Sequence, residues 1–343
     1  MRDRAMTILP LRKANSALFR YRTQAWRWSA AFRDGPAVAI DRPVYLIGTQ
    51  NGGLTLLARI LHRHRDAISV TGDHTYWAGE DEAQDALPEI LPEDFGWRRI
   101  DVPGFGTGGH SWLYGTDAFL PHYRRPAGSV DPAACARYRR ILQGIIRQQG
   151  RGRPVRFVDK SQSLTLRVGA VQDALADSDP RFVLVTRDPH AVIWSQATRN
   201  GAVSALDLPL EEKVRLCAQH WANSYEAALA DAAADPAIAL RHWRFEDILT
   251  DPATTLRAIC DFCDLGWDAR ILPGPGDRIP LGSRQDAFNT RKWYPLRADV
   301  NDRYLAALPD WARTMIDDRC GALARQFGYA TAGTSRKVPC DVR

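Results

Sequence analysis

Residues 181–195 read Arg-Phe-Val-Leu-Val-Thr-Arg-Asp-Pro-His-Ala-Val-Ile-Trp-Ser, and their types and spacing suit the capture of an anion. Phe182 to Val185 is a continuous apolar run of the kind a buried parallel strand needs. Arg187 stands where that strand ends. Asp188 can cap a helix, and Pro189 suits its first position. Ser195 follows Arg187 by eight residues, about two turns into that helix. A cation, a helix N-terminus and a hydroxyl then converge on one point. The same pattern also arises where an arginine merely pairs with a carboxylate, so Arg187 has two readings.

Residues 44–57 offer a second site: Val-Tyr-Leu-Ile-Gly-Thr-Gln-Asn-Gly-Gly-Leu-Thr-Leu-Leu. An apolar strand, Val44 to Ile47, runs into a glycine-rich turn and then a helix with Leu54, Leu57 and Leu61 on one face. Such a turn aims backbone N–H groups inward, and the helix dipole favours an anion there. The loop is not a Walker A sequence, because no Gly-Lys-Ser/Thr follows the glycines. A tight turn without a ligand is the alternative. Two strand-to-helix anion sites suit one ligand with phosphates at both ends.

With these two segments the chain resembles the sulfotransferases that use 3′-phosphoadenosine 5′-phosphosulfate (PAPS). Gly48, Gly53, Thr55, Leu56 and Leu57 match that family's 5′-phosphosulfate loop. Arg187 and Ser195 match its 3′-phosphate motif. Phe157-Val-Asp-Lys-Ser161 and Arg244-Phe-Glu-Asp-Ile-Leu-Thr-Asp-Pro252 are similar to two further segments of bacterial members, and the likeness spans roughly residues 43–330. It implies a PAPS-dependent enzyme in which Gly48, Gln50, Asn51, Gly52, Gly53, Leu54 and Thr55 hold the phosphosulfate. Arg187 and Ser195 would hold the 3′-phosphate, supported by Arg291 and Lys292 in a late basic loop, with Phe245 beside the adenine. The chain departs from the pattern where Asn51 replaces the basic loop residue, Gly52 a serine and Leu54 a threonine. A cation from elsewhere must then face the leaving phosphate, and Lys160 is the first choice, ahead of Arg291 or Lys292. Lys160 can equally be a surface lysine at a helix start. A relative that binds the nucleotide without catalysis is the competing reading of Asn51, and a small-molecule kinase would require the missing Walker residues.

Sulfuryl transfer also needs a base for the acceptor's proton. His74, with the better unperturbed pKa, and Asp73 follow the short strand beside the first loop. Either can instead cap the next segment. No metal is expected. The acceptor is a hydroxyl or amine of a small molecule, glycan or lipid, to be recognised by residues 75–130. That stretch carries Trp77, Trp97, Trp112, Tyr114, Phe119 and Tyr123 among glycines and prolines. These aromatics either face the acceptor or pack an insertion.

The elements that must position these residues alternate. The pattern predicts strands at 44–48, 67–71, 155–158, 181–186 and 237–243. It predicts helices at 53–64, 131–149, 164–176, 189–199, 208–233, 252–263 and 301–327. Alternation of this kind means an α/β fold, here a three-layer P-loop NTPase-like fold with a central parallel sheet and helices on both faces. Ligands then bind beyond the strands' carboxyl ends.

The 343 residues carry a net charge of +6. Residues 1–42 hold nine Lys/Arg against three Asp, an excess equal to that of the whole chain, interleaved with Phe19, Tyr21, Trp26, Trp28 and Phe32. This basic aromatic arm either lies on an anionic membrane surface or packs on the domain. The balanced remainder offers no basic groove, so no nucleic acid is expected. The chain lacks an apolar run long enough to span a membrane and any secretory h-region. Six scattered cysteines demand no disulfide, which fits the cytoplasm, with the arm at the inner membrane surface as an extension. Cys260-Asp-Phe-Cys263 has metal-like spacing but falls on one helix face with Leu256 and Ile259, which favours core packing. Residues 331–343 read as a flexible tail.

Overall fold

A computed structural model of the chain describes residues 37–70, 82–87, 90–96, 100, 113–199, 203–275, 277 and 296–330. The proposed arm up to residue 36, the tail beyond 330, Asp73, His74, Trp77, Trp97, Trp112, Arg291 and Lys292 lie outside the described residues.

Five parallel strands form the centre: β1 (Val44–Ile47), β2 (Ala67–Ile68), β3 (Arg156–Asp159), β4 (Arg181–Thr186) and β5 (Ala239–Arg244). Their order across the sheet is β2-β3-β1-β4-β5. Val44 pairs with Arg181 and Ile47 with Leu184, so the ends of β1 and β4 lie side by side. Helices in chain order are α1 (Leu54–Leu61), α2 (Ala83–Ala86), α3 (Leu120–Tyr123), α4 (Pro132–Gly150), α5 (Val168–Leu175), α6 (Pro189–Thr198), α7 (Leu210–Ala234), α8 (Phe245–Thr250), α9 (Pro252–Phe262), α10 (Asp302–Leu305) and α11 (Asp310–Gln326).

Alternate residues of β1 feed two cores. Val44 and Leu46 pack with Leu54, Leu57, Leu256 and Ile259 from α1 and α9 on one face. Tyr45 and Ile47 pack with residues of α4, α6, α7 and α11 on the other. The helix after β1 thus covers one face and the helix after β4 the opposite face. The chain reverses its winding between these two strands, and the crevice beyond their carboxyl ends is where such sheets take ligands. The expected three-layer P-loop-like α/β fold is therefore present.

Local signals explain the helix starts. Asp131, Asp188 and Asp251 each precede a proline at the first helical position, and each carboxylate accepts a backbone N–H of the first turn. Two helices depart from the sequence reading. The stretch 164–176 is split into a 3-10 turn (Gln162–Leu166) and α5. Arg167 breaks it, because its buried guanidinium donates to Tyr123 O at 3.0 Å and Gly96 O at 2.6 Å. The terminal helix is split into α10 and α11 around Pro309, which disfavours helical backbone at Leu308. The strand expected at 67–71 is confined to Ala67–Ile68, and α8 appears between β5 and α9. Cys260 and Cys263 are buried in the α9 core with Leu256 and Ile259. Tyr114, Phe119 and Tyr123 are buried too, so these three aromatics pack the domain.

Candidate active site

The first loop turns on two glycines with positive φ. At Gly48, φ is +151° and a Cβ would lie 2.4 Å from Val185 O, so only glycine lets β1 run this close to β4. Gly48 N–H donates to Thr165 Oγ1 at 2.8 Å, and that hydroxyl donates to Gly48 O at 3.0 Å. Thr49 and Gln50 are buried. Gly53 caps α1 with φ +97°, and a Cβ there would collide with the Phe245 ring at 2.0 Å. Phe245 is itself buried and serves as the floor on which the loop rests. Leu54 and Thr55 follow in the first turn of α1, where backbone N–H groups have no partner within the helix.

Asn51 adopts left-handed backbone with φ +60°. Asparagine tolerates this conformation better than a long side chain does, which gives a physical reason for its presence where the resemblance leads one to expect a basic residue. Its carbonyl accepts a hydrogen bond from Arg187 at 2.8 Å. The two strand-to-helix turns are therefore in direct contact.

Arg187 is half-buried at the end of β4. Its Nε donates to Asn301 Oδ1 at 2.7 Å, and its two terminal nitrogens donate to Asn51 O at 2.8 Å and Val300 O at 3.4 Å. Phe245 and Tyr304 flank the guanidinium at 5.5 and 6.0 Å. None of its three hydrogen-bond acceptors is a carboxylate. Glu246 acts one step removed, accepting from Asn301 Nδ2 at 2.6 Å, Asp188 N–H at 3.0 Å and Tyr329 OH at 3.0 Å. Burial lowers the guanidinium's pKa, and the charges of Glu246 and Asp188 oppose it. The arrangement leaves a pinned cation facing the loop. Ser195 lies on the inward side of α6 and is 1% exposed.

Lys160 follows β3 and is buried, not at the surface. Its ammonium forms an ion pair with Glu82, whose side chain is also buried. The segment around Glu82 is docked on the end of β3. Ala83 N–H donates to Asp159 Oδ1 at 3.0 Å, Gln84 N–H to Ser161 Oγ at 3.1 Å, and Ser163 Oγ to Gln84 Oε1 at 2.7 Å. Among the described residues, no group of three or more His, Cys, Asp or Glu is placed to hold a metal, and no helix is long and apolar enough to cross a membrane.

The structure thus brings together Gly48, Gln50, Asn51, Gly52, Gly53, Leu54, Thr55, Arg187 and Phe245. Sequence reasoning missed Glu82, Asn301 and His220, a histidine of α7 that reaches Gln50. Glu246 lay inside the quoted Arg-Phe-Glu-Asp segment, which was a usable signal, whereas Asn301 and His220 carried none.

Residues 43–269 match a family model described as "Sulfotransferase family". Among solved structures, the chain is similar to the sulfotransferase domain from the curacin biosynthetic pathway. Identity there is 16%, with a TM-score of 0.50 over 86% of this chain and 100% of that one. It is also similar to sulfotransferase STF9 from Mycobacterium avium, at 15% identity and TM-score 0.50 over 91% of this chain and 83% of that one. At these identities the two structures speak for the fold. No curated protein sequence matches the chain. The family match covers more than half of the chain and includes both strand-to-helix turns, so the chain belongs to the sulfotransferase family, the enzymes that transfer a sulfuryl group from PAPS.

Proposed function

We propose that the loop at 48–55 holds the 5′-phosphosulfate of PAPS, and that Arg187 with Ser195 holds its 3′-phosphate. The observation that carries this reading is the state of Arg187: a guanidinium whose three hydrogen-bond acceptors are neutral oxygens, held in contact with the first loop. First-turn N–H groups of α1 fit the other end of the ligand. In transfer, the bond between sulfur and the bridging phosphate oxygen breaks. A bond forms between sulfur and the acceptor's oxygen or nitrogen, the acceptor's proton passes to a base, and adenosine 3′,5′-bisphosphate leaves. Fixed donors at the loop stabilise its developing charge.

His74 and Asp73 are the base candidates from sequence, and Glu82 joins them because Lys160 holds its carboxylate at the end of β3, next to β1. Lys160, Arg291 and Lys292 are the candidate cations. The acceptor is a hydroxyl or amine of a small molecule, glycan or lipid, taken up along residues 75–130, and a lipid acceptor would agree with membrane contact through residues 1–42. No metal takes part, because the loop lacks the Walker lysine and hydroxyl that hold magnesium and phosphate in kinases. Calorimetric titration tests the donor site. Adenosine 3′,5′-bisphosphate should bind more tightly than ATP, with or without magnesium and EDTA. Tighter binding of magnesium–ATP would refute the assignment.

A further inference from the structure

His220 joins the first loop to residues 113–119, and it does so with both ring nitrogens. It is 1% exposed on α7. Gly115 N–H donates to Nδ1 at 3.0 Å, which leaves the ring proton on Nε2, and Nε2 donates to Gln50 Oε1 at 2.6 Å. The Gln50 carbonyl accepts from Gln196 Nε2 at 2.6 Å. With its amide oxygen taken by His220 and its backbone carbonyl by Gln196, the Gln50 residue is held from both α7 and α6. The Tyr114 ring stands edge-on to His220, with centroids 4.5 Å apart. One turn along α7, Asn223 Nδ2 donates to Gly115 O at 2.7 Å and Asp117 Oδ1 at 2.8 Å. A Cβ at Gly115 would lie 2.5 Å from Ser224 Oγ and 2.8 Å from His220 Nδ1, so the segment is pressed onto the helix. Burial pulls the His220 pKa down to about 3, which keeps the ring neutral and both bonds in one direction near neutral pH.

We propose that His220 is a positioning residue that couples the donor loop to residues 113–119, so that filling the donor site orders the acceptor side. The inference rests on the donor-site reading above and extends it to the stretch assigned to the acceptor. A nucleotide anchored on residues 51–55 immobilises the adjoining Gln50, and Gln50 holds Gly115 through His220, whose ring also abuts Tyr114. Ordering of the loop is then shared with the segment, and by linkage the reverse also holds.

Hydrogen exchange of the full-length protein, with and without saturating adenosine 3′,5′-bisphosphate, tests this. In the wild type, exchange should slow in both 48–55 and 113–119, by at least about fivefold in the latter. His220→Asn keeps an acceptor near Gly115 but cannot reach Gln50, and His220→Gln keeps the reach to Gln50 but gives up the bond to Gly115. In either variant, protection should persist at 48–55 and be lost at 113–119. Wild-type protection restricted to 48–55 would overturn the proposal without any variant. Undiminished protection of 113–119 in both variants would do the same. An absence of protection at 48–55 would instead overturn the donor-site reading.

Discussion

Truncation of Arg187 separates its contact with ligand from its support of the loop. Arg187→Ala removes three hydrogen bonds within the protein, to Asn301, Asn51 and Val300. Water can replace the lost donors because the site is half-buried, so the stability cost should be modest, about 1–2 kcal/mol. The ligand loses more. A charge-assisted bond to a phosphate is worth about 1.5–3 kcal/mol, or roughly ten- to more than hundredfold in affinity. Relaxation of Asn51 adds a loss common to any nucleotide whose 5′-phosphate sits in the loop. Calorimetry with adenosine 3′,5′-bisphosphate and with adenosine 5′-monophosphate distinguishes the two contributions. The loss for the bisphosphate should exceed that for the monophosphate by about tenfold or more. Arg187→Lys keeps the charge but not the fork that spans Asn301 and Asn51, so its loss should fall between alanine and wild type. Equal losses for both nucleotides would show that Arg187 acts only through the loop, and the 3′-phosphate assignment would fail.

Three other expectations follow from the geometry. Breaking the Glu82–Lys160 pair from one side, by Glu82→Gln or Lys160→Met, should cost about 3–5 kcal/mol in urea unfolding, and removing both partners together much less. A double variant that regains stability but not sulfuryl transfer would assign the pair to the reaction, whereas recovery of both would make it structural. Asn51→Gly should keep bisphosphate affinity within a few-fold because glycine accepts φ +60°, while Asn51→Lys should lose about 1 kcal/mol of stability; equal melting temperatures would refute the backbone account of this position. Burial pulls His220 down to about 3 and His242 down to about 4. The unfolded chain, titrating near 6.5, therefore binds more protons as pH falls, and stability should drop below pH 6.5, with the contribution of His242 spent near pH 4. Each histidine adds a slope approaching about 1.4 kcal/mol per pH unit. Urea unfolding between pH 7 and 4.5 should show the slope, His242→Asn should reduce it, and a flat profile would contradict the buried neutral state.

The layers and the two strand-to-helix turns were legible in the residues alone, because both depend on short-range order. Apolar runs such as Val44–Ile47 and Phe182–Val185, bounded by turn residues, suit strands buried on both faces, and the Asp-Pro pairs at 131, 188 and 251 set helix starts within a few residues. Gly48 and Gly53 were readable as a turn, though not the Val185 carbonyl and the Phe245 ring that require them. What each charge meets depends on packing between distant segments. Arg187 could have paired with a carboxylate; its Nε instead donates to Asn301, more than a hundred residues away. Lys160 was as compatible with the surface as with the site, and Glu82 draws it into a buried pair. His220 lay unremarked in an ordinary helix until the packing of α7 set it between Gln50 and Gly115. Hydrophobic period and capping are written over a handful of neighbouring residues, but the partner of a buried polar group is whichever side chain the sheet order and helix packing bring within about 3 Å, and that distance does not exist until the chain has folded.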